Sequence, residues 1–205
     1  MDTVSLYDRQ KTLKLKPVGR VTVVGLGGTG SWVTLLLAMT GKVREIVTID
    51  FDKVEKHNLN RTLFKQYHIG LEKTFALQDL INERREDANV IFCNQNVKEL
   101  DSDTKRKVAN SAYIIDCTDN IRIRDYIKET FKKPKLIRLG YDGWNVTFDS
   151  KATEVWGEGD SGYRIVPSFV LPPVFATLMV ISYLFGDKKD TFISLDTSKL
   201  LKKLG

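Results

Sequence analysis

The chain has 205 residues, 42% of them hydrophobic and 28% charged, and a formal net charge of +6. That length carries apolar material for one well-buried domain and little for a second. The basic balance favours anionic partners but does not choose among nucleotides, acidic protein surfaces and nucleic acid. Two cysteines, Cys93 and Cys117, form no closely spaced pair, which argues against a disulfide framework or a cysteine-rich zinc site and fits a reducing, cytoplasmic setting. The opening MDTVSLYDRQKTLKLK is charged and lacks an apolar signal region.

In chain order, residues 21–24 form a β-branched run that ends at glycines, the first predicted strand. A helix-compatible segment follows at 31–39, ended by Gly41, and residues 45–50 read as a second strand ending on an acid. Residues 74–85 read as a helix, 89–93 as a strand, 105–109 as a helix and 112–116 as a strand. Residues 121–132 make a helix stopped before Pro134, with a fifth strand at 135–139. Alternating strands and helices predict an α/β, Rossmann-like, doubly wound and mostly parallel sheet. After Gly140 the pattern changes. Residues 144–148 and 153–156 read as added antiparallel strands, and 157–162 as a polar glycine-rich loop. The apolar stretch 169–185 carries Pro172 and Pro173 near its start and is short for a membrane span, so it reads as a helix of the core or of a dimer interface. A late strand at 191–195 and a Lys-rich terminal helix, read as a solvated face, complete one domain over 1–205. Within it, 1–18 is an N-terminal arm, 19–140 a nucleotide-binding half and 141–205 a half for substrate and dimer contacts.

Between the first strand and its helix stands Gly25-Leu26-Gly27-Gly28-Thr29-Gly30-Ser31. Gly25, Gly27, Gly28 and Gly30 let the backbone approach a phosphate, and the helix N-terminus supplies amide donors. Asp50, at the end of the second strand, is placed to accept hydrogen bonds from ribose hydroxyls. That much suits a dehydrogenase equally. Asp52, Asn58, Arg61 and Lys73 break the tie, because triphosphate chemistry must neutralise several negative charges and hydride transfer need not. The fourth strand then delivers Asp116-Cys117-Thr118-Asp119-Asn120 to the ligand-binding edge of the sheet. Asp119 is placed to hold a magnesium ion on the phosphates, and Asp119 or Asn120 to cap the next helix. Cys117 reads as packing, and His57 and His68 as surface or packing residues.

In this order these motifs resemble the ThiF/MoeB family, the adenylating relatives of ubiquitin-activating enzymes. The match runs from Tyr7-Asp8-Arg9-Gln10 through the glycine turn, Asp50-Phe51-Asp52, Asn58-Leu59-Asn60-Arg61 and Gly70-Leu71-Glu72-Lys73. It ends with Asp116-Cys117-Thr118-Asp119-Asn120 leading to Arg124, and with the Pro172-Pro173 helix. The resemblance implies an ATP-dependent adenylyltransferase that uses magnesium. Asp50 would hold the ribose, Asn58, Arg61 and Lys73 the phosphates, and Asp119 the metal. Arg9 would reach into the neighbouring subunit of a homodimer. The implied partner is a small ubiquitin-like or sulfur-carrier protein ending in Gly-Gly, whose tail the 157–162 loop would let pass. Alternatives within this resemblance are activation of a carboxylate on tRNA or of a peptide C-terminus, or a non-catalytic nucleotide-binding subunit. Many members carry two CxxC pairs for zinc; this chain has none, and zinc is not expected. No cysteine follows Cys117, so the chemistry would stop at the adenylate unless a separate sulfurtransferase or cysteine enzyme continues it. No membrane or nucleic-acid contact is expected.

Overall fold

A computed structural model describes residues 6–154, 169–186 and 189–199. The elements are β1 (Val18–Val24), α1 (Gly28–Thr40), β2 (Val43–Ile49), α2 (Lys73–Asn82), β3 (Val90–Cys93), α3 (Ser102–Ala109), β4 (Tyr113–Asp116), α4 (Ile121–Thr130), β5 (Lys135–Asp142), β6 (Asn145–Asp149), α5 (Leu171–Phe185) and β7 (Phe192–Asp196). The inner strands are β-branched runs with both faces covered, as a parallel sheet demands. Val21, Val23, Ile114, Ile115 and Ile137 are wholly buried.

The seven described strands lie in the order β3-β2-β1-β4-β5-β6-β7, parallel from β3 to β5 and antiparallel thereafter. Side chains of α1, α2 and α5 fill one face of the sheet, and those of α3 and α4 the other. The strand order reverses between β1 and β4, the place where such sheets bind ligands. The register makes that place level: Val24 pairs with Ile49 on one side and with Asp116 on the other. The glycine turn, Asp50 and Cys117 therefore leave the sheet side by side.

Several elements differ from their predicted bounds. Helix α1 begins at Gly28, so the second half of the glycine turn is already the first helical turn. Strand β5 continues through Gly140 to Asp142 and enters a hairpin at Gly143, whose φ of 56° a side chain would resist. Thr153 and Glu154 are not in a strand. The Asp149 carboxylate captures the amides of Lys151 and Glu154, and β6 takes β7 as its partner instead. Residues 155–156, the 157–162 loop and 200–203 of the Lys-rich end lie outside the described residues. No helix among the described residues is long and apolar enough to cross a membrane.

The glycines of the turn differ in what they tolerate. A Cβ on Gly30 would overlap the Gly25 carbonyl oxygen, whereas one on Gly27 would meet nothing within 4 Å. Gly30→Ala is expected to lose about 3 kcal/mol or more, because the obstructing atom is backbone. Gly27, at φ −72°, should accept alanine with a stability change within about 1 kcal/mol. Urea unfolding of the two variants checks this; equal losses would contradict it.

Candidate active site

Asp50 organises the site from below. Its side chain is almost fully buried; Oδ2 accepts the Leu26 amide at 2.5 Å and Oδ1 the Asp52 amide at 2.8 Å. A carboxylate offers about four acceptor positions, so two bonds to the backbone leave room for hydroxyl donors. Above it, α1 starts after Gly27, its N-cap, without a side-chain cap and without an acid in its first turn. The first amides of a helix lack partners within the helix, and the dipole there favours an anion. The space above Gly27 is open, and the turn presents amides of the kind that bind phosphate.

Lys73 supplies positive charge beside the two acids. It is the first residue of α2, a position the helix dipole disfavours for a cation. Its backbone amide bonds the Asp52 carbonyl at 2.9 Å, and its ammonium sits 2.7 Å from Asp52 Oδ2 and 4.0 Å from Asp50 Oδ2. Burial pushes the Asp50 carboxyl up from its ordinary value, and Lys73 holds it back. Asp52 is half exposed. Its share of Lys73 can pass to an entering anion.

Arg61 is braced on several sides. Its Nε donates to the Tyr141 hydroxyl at 3.1 Å, and Nη1 to the His57 carbonyl at 2.5 Å and to Asn60 Oδ1 at 3.0 Å. The Trp32 indole donates to the Arg61 carbonyl at 3.0 Å. Asn58 is buried and builds the turn that carries Arg61. Its Oδ1 accepts the Glu55 amide, and its carbonyl accepts from the amides of Arg61 and Thr62 and the Thr62 hydroxyl. Asn58 thus supports the arginine in this structure and has no shown bond toward the cradle. Neither Trp32 nor Tyr141 was expected at the site. The available signal for Tyr141 was strand alternation, which puts it on the same face as Ile137 and Leu139, the face that α1 covers.

The loop after β4 forms the other wall. Asp116 and Arg138 are both fully buried and paired at 3.0 Å; burial raises the Asp116 carboxyl, and the guanidinium opposes that rise. Asp116 Oδ1 also accepts from the amide and hydroxyl of Thr118, fixing the loop against Gly25. Asn120 caps α4 through the Arg122 amide. Asp119, beside it, is exposed at the loop's edge. Burial lifts both Cys93 and Cys117 above the ordinary thiol range, Cys117 well above it. Neither is suited to act as a nucleophile. His68 is buried between the Lys65 amide and Asp79, and His57 is exposed beside Glu55.

Arg9 is not part of its own chain's site. It lies exposed on the 3-10 helix Asp8–Leu13. The arm is held at the far end of α1: Tyr7 stacks on the Arg85 guanidinium with its ring against Gly41, and Gln10 donates to the Thr40 carbonyl. The thirteen residues of α1 lie between that end and Gly27, about 20 Å at the usual rise.

A glycine turn at the reversal of a parallel sheet, with Asp50 beneath and Lys73 and Arg61 beside it, belongs to a doubly wound, Rossmann-type α/β domain. The ThiF family model matches residues 2–156, and the chain belongs to that family. The chain is 32% identical over 122 residues to a molybdopterin-synthase adenylyltransferase of Salmonella typhimurium, covering 59% of this chain and 47% of that one. It is 29% identical over 134 residues to a ubiquitin-like modifier-activating enzyme 5 of Gallus gallus, covering 60% and 32%. The chain thus spans half or less of the length of these relatives. Among solved structures, Escherichia coli MccB with AMPCPP and MccA superposes with a TM-score of 0.67 at 20% identity, over 96% of this chain and 72% of that one. PaaA gives 0.64 at 21%, over 94% and 66%. At that identity the likeness is one of fold.

Two outcomes follow from these environments. Lys73→Met removes the charge that restrains Asp50, so the folded-state carboxyl rises further above 3.8. The folded chain then holds a proton more tightly than the unfolded one, and stability falls as pH rises from the ordinary carboxylate value through the raised one. The variant should lose about 2 kcal/mol near pH 8 and distinctly less near pH 5. Denaturant unfolding at both pH values measures this; a deficit that does not change with pH would contradict it. Iodoacetamide near neutral pH should label Cys93 and Cys117 only after unfolding. Rapid labelling of the folded chain, read by mass, would show a reactive thiol.

Proposed function

We propose that the chain is an ATP-dependent adenylyltransferase that activates the C-terminal carboxylate of a small ubiquitin-like or sulfur-carrier protein. The observation that carries this reading is Lys73, a nearly buried cation set between Asp50 and Asp52 beside an uncapped glycine turn. The ammonium and the open amides of the turn are the groups there that can meet a phosphate. The family and the names of its relatives support the same chemistry.

In the proposed reaction, Asp50 accepts the ribose hydroxyls, and the amides at the start of α1 bind phosphate. The carrier's carboxylate oxygen attacks the α-phosphorus. The new bond joins the carboxyl oxygen to phosphorus as the bond to the β-phosphate oxygen breaks, giving an acyl-adenylate and pyrophosphate. A carboxylate is ionised at neutral pH, so the step requires no general base. Arg61 and Lys73 neutralise the charge that moves onto the departing pyrophosphate, and the rest is positioning. No group of three or more His, Cys, Asp or Glu that could hold a metal occurs among the described residues. A nucleotide-borne magnesium needs only one or two carboxylates besides phosphates and water, and exposed Asp119 fits that demand. Magnesium there would supply charge neutralisation on the phosphates. The exposure of Arg9, far from its own cradle, and the outward Val170 and Leu178 of the α5 region support a homodimer with composite sites. Two buried or half-buried free cysteines are in keeping with a cytoplasmic location. Neither Cys93 nor Cys117 is suited to a thioester step, so any later sulfur or thioester chemistry would use a thiol other than these two.

Exchange of labelled pyrophosphate into ATP, dependent on a carrier with a free C-terminal Gly-Gly, tests this reading. Asp119→Ala and Arg9→Ala should each abolish exchange, and a mixture of the two variants should recover activity that neither has alone. Unchanged exchange in Asp119→Ala would remove that residue from the reaction. Failure of the mixture to recover would remove the composite dimer site.

A further inference from the structure

Arg61 reaches the glycine turn from a surface loop, on a long side chain with several rotatable bonds. What fixes its head group is an aromatic residue distant in sequence. Tyr141 lies near the end of β5, on the face that α1 covers. Its hydroxyl accepts from Arg61 Nε at 3.1 Å, and a Cβ on Gly28 would overlap that same hydroxyl. The phenol therefore rests directly on the first residue of α1, where the phosphate cradle begins. Gly28 is glycine for this approach as well as for any ligand, since its contact is already made by Tyr141.

The remaining bonds show which edge of Arg61 is presented. Nε is engaged by Tyr141, and Nη1 by His57 and Asn60. Trp32 holds the carbonyl of the same residue from within α1. Among the described residues, Nη2 alone of the guanidinium nitrogens makes no hydrogen bond. A planar fork tethered through one side keeps its other side in a fixed plane. Positioning of this kind spares a long side chain its ordering entropy when the anion arrives.

We propose that Tyr141 is a positioning residue for nucleotide binding: its hydroxyl, seated on Gly28, locks the Arg61 guanidinium beside the glycine turn so that Nη2 faces the phosphates of ATP. The proposal rests on the reading that Arg61 binds phosphate. Tyr141 acts on the ligand through Arg61 and is assigned no proton transfer. Its ring also covers the Gly28 end of the turn, so its hydroxyl and its bulk act separately and can be removed separately.

The test is calorimetric titration of the full chain with ATP plus magnesium chloride and, in parallel, with adenosine, together with thermal unfolding without nucleotide. Tyr141→Phe keeps the ring and removes the hydroxyl; ATP affinity should fall about tenfold, the equivalent of one hydrogen bond to a charged group, while adenosine affinity and unfolding temperature stay as in the wild type. Arg61→Ala should fall at least as far, and adding Tyr141→Phe to it should cost nothing more. Gly28→Ala should lose ATP affinity in the wild-type background and regain part of it beside Tyr141→Phe, where the overlap with the hydroxyl is gone. Wild-type ATP affinity in Tyr141→Phe, or equal losses for ATP and adenosine, would overturn the proposal and leave the functional reading intact. A wild-type chain that binds no ATP would overturn both.

Discussion

The site depends on one carboxylate. Asp50 follows β2, whose last residue, Ile49, pairs with the last residue of β1, and its two oxygens take the amides of Leu26 and Asp52. The first bond holds the glycine turn over the sheet; the second bends the chain toward the segment that returns as Lys73. Burial pushes the Asp50 carboxyl up, and Lys73 and the amides of Leu26 and Asp52 oppose that rise. The acid, the turn and the lysine therefore form one unit. Moving any of the three would disturb the others, since a buried carboxylate without its cation or its amides is strongly unfavourable.

Around that unit the usual local rules are broken together. Helix α1 starts without a side-chain cap, α2 starts with a cation where its dipole favours an acid, and a carboxylate is taken out of water beneath both. Elsewhere Asp101 caps α3, Asn120 caps α4 and Gly41 closes α1 in the left-handed region, while α5 starts without a side-chain cap but with prolines in its first turn. Departures from good local structure that coincide in space mark a place shaped for a ligand. The open start of α1 and the cation at the start of α2 would both be met by a polyanion lying between them, and the carboxylate by hydroxyl donors. The buried Asp116–Arg138 pair has another part. It holds the Thr118 side of the wall against Gly25, so that Asp119 is presented at the rim of the sheet.

Much of this was legible in the residues because it is local or periodic. The β-branched runs, the glycine turn and the acid that follows β2 needed no tertiary knowledge, and the parallel order followed from their alternation with helices. Residues 153–154 misled because a side chain intervened: Asp149 offers its carboxylate to the Lys151 and Glu154 amides, and this local competition displaces the ladder that alternation suggests. The hold on Arg61 was hidden for a different reason. Tyr141 is 80 residues away in sequence and Trp32 29. Only the placing of β5 beyond β4, and of α1 across that face, brings both to the same arginine. Asn58 illustrates the middle case, since its place beside the site was readable but its observed bonds support the loop. The position of Arg9 depends on how the arm docks against Arg85 and Gly41, which no local pattern in the sequence reveals.

In the proposed function, Lys73 and Arg61 turn a general dinucleotide-type cradle into a site for ATP. Competitive calorimetry with ATP and NAD on the full chain, in the presence of magnesium, tests it most directly. The account predicts saturable ATP binding, one per chain, that a large excess of NAD does not displace. Binding of NAD with no binding of ATP would contradict it.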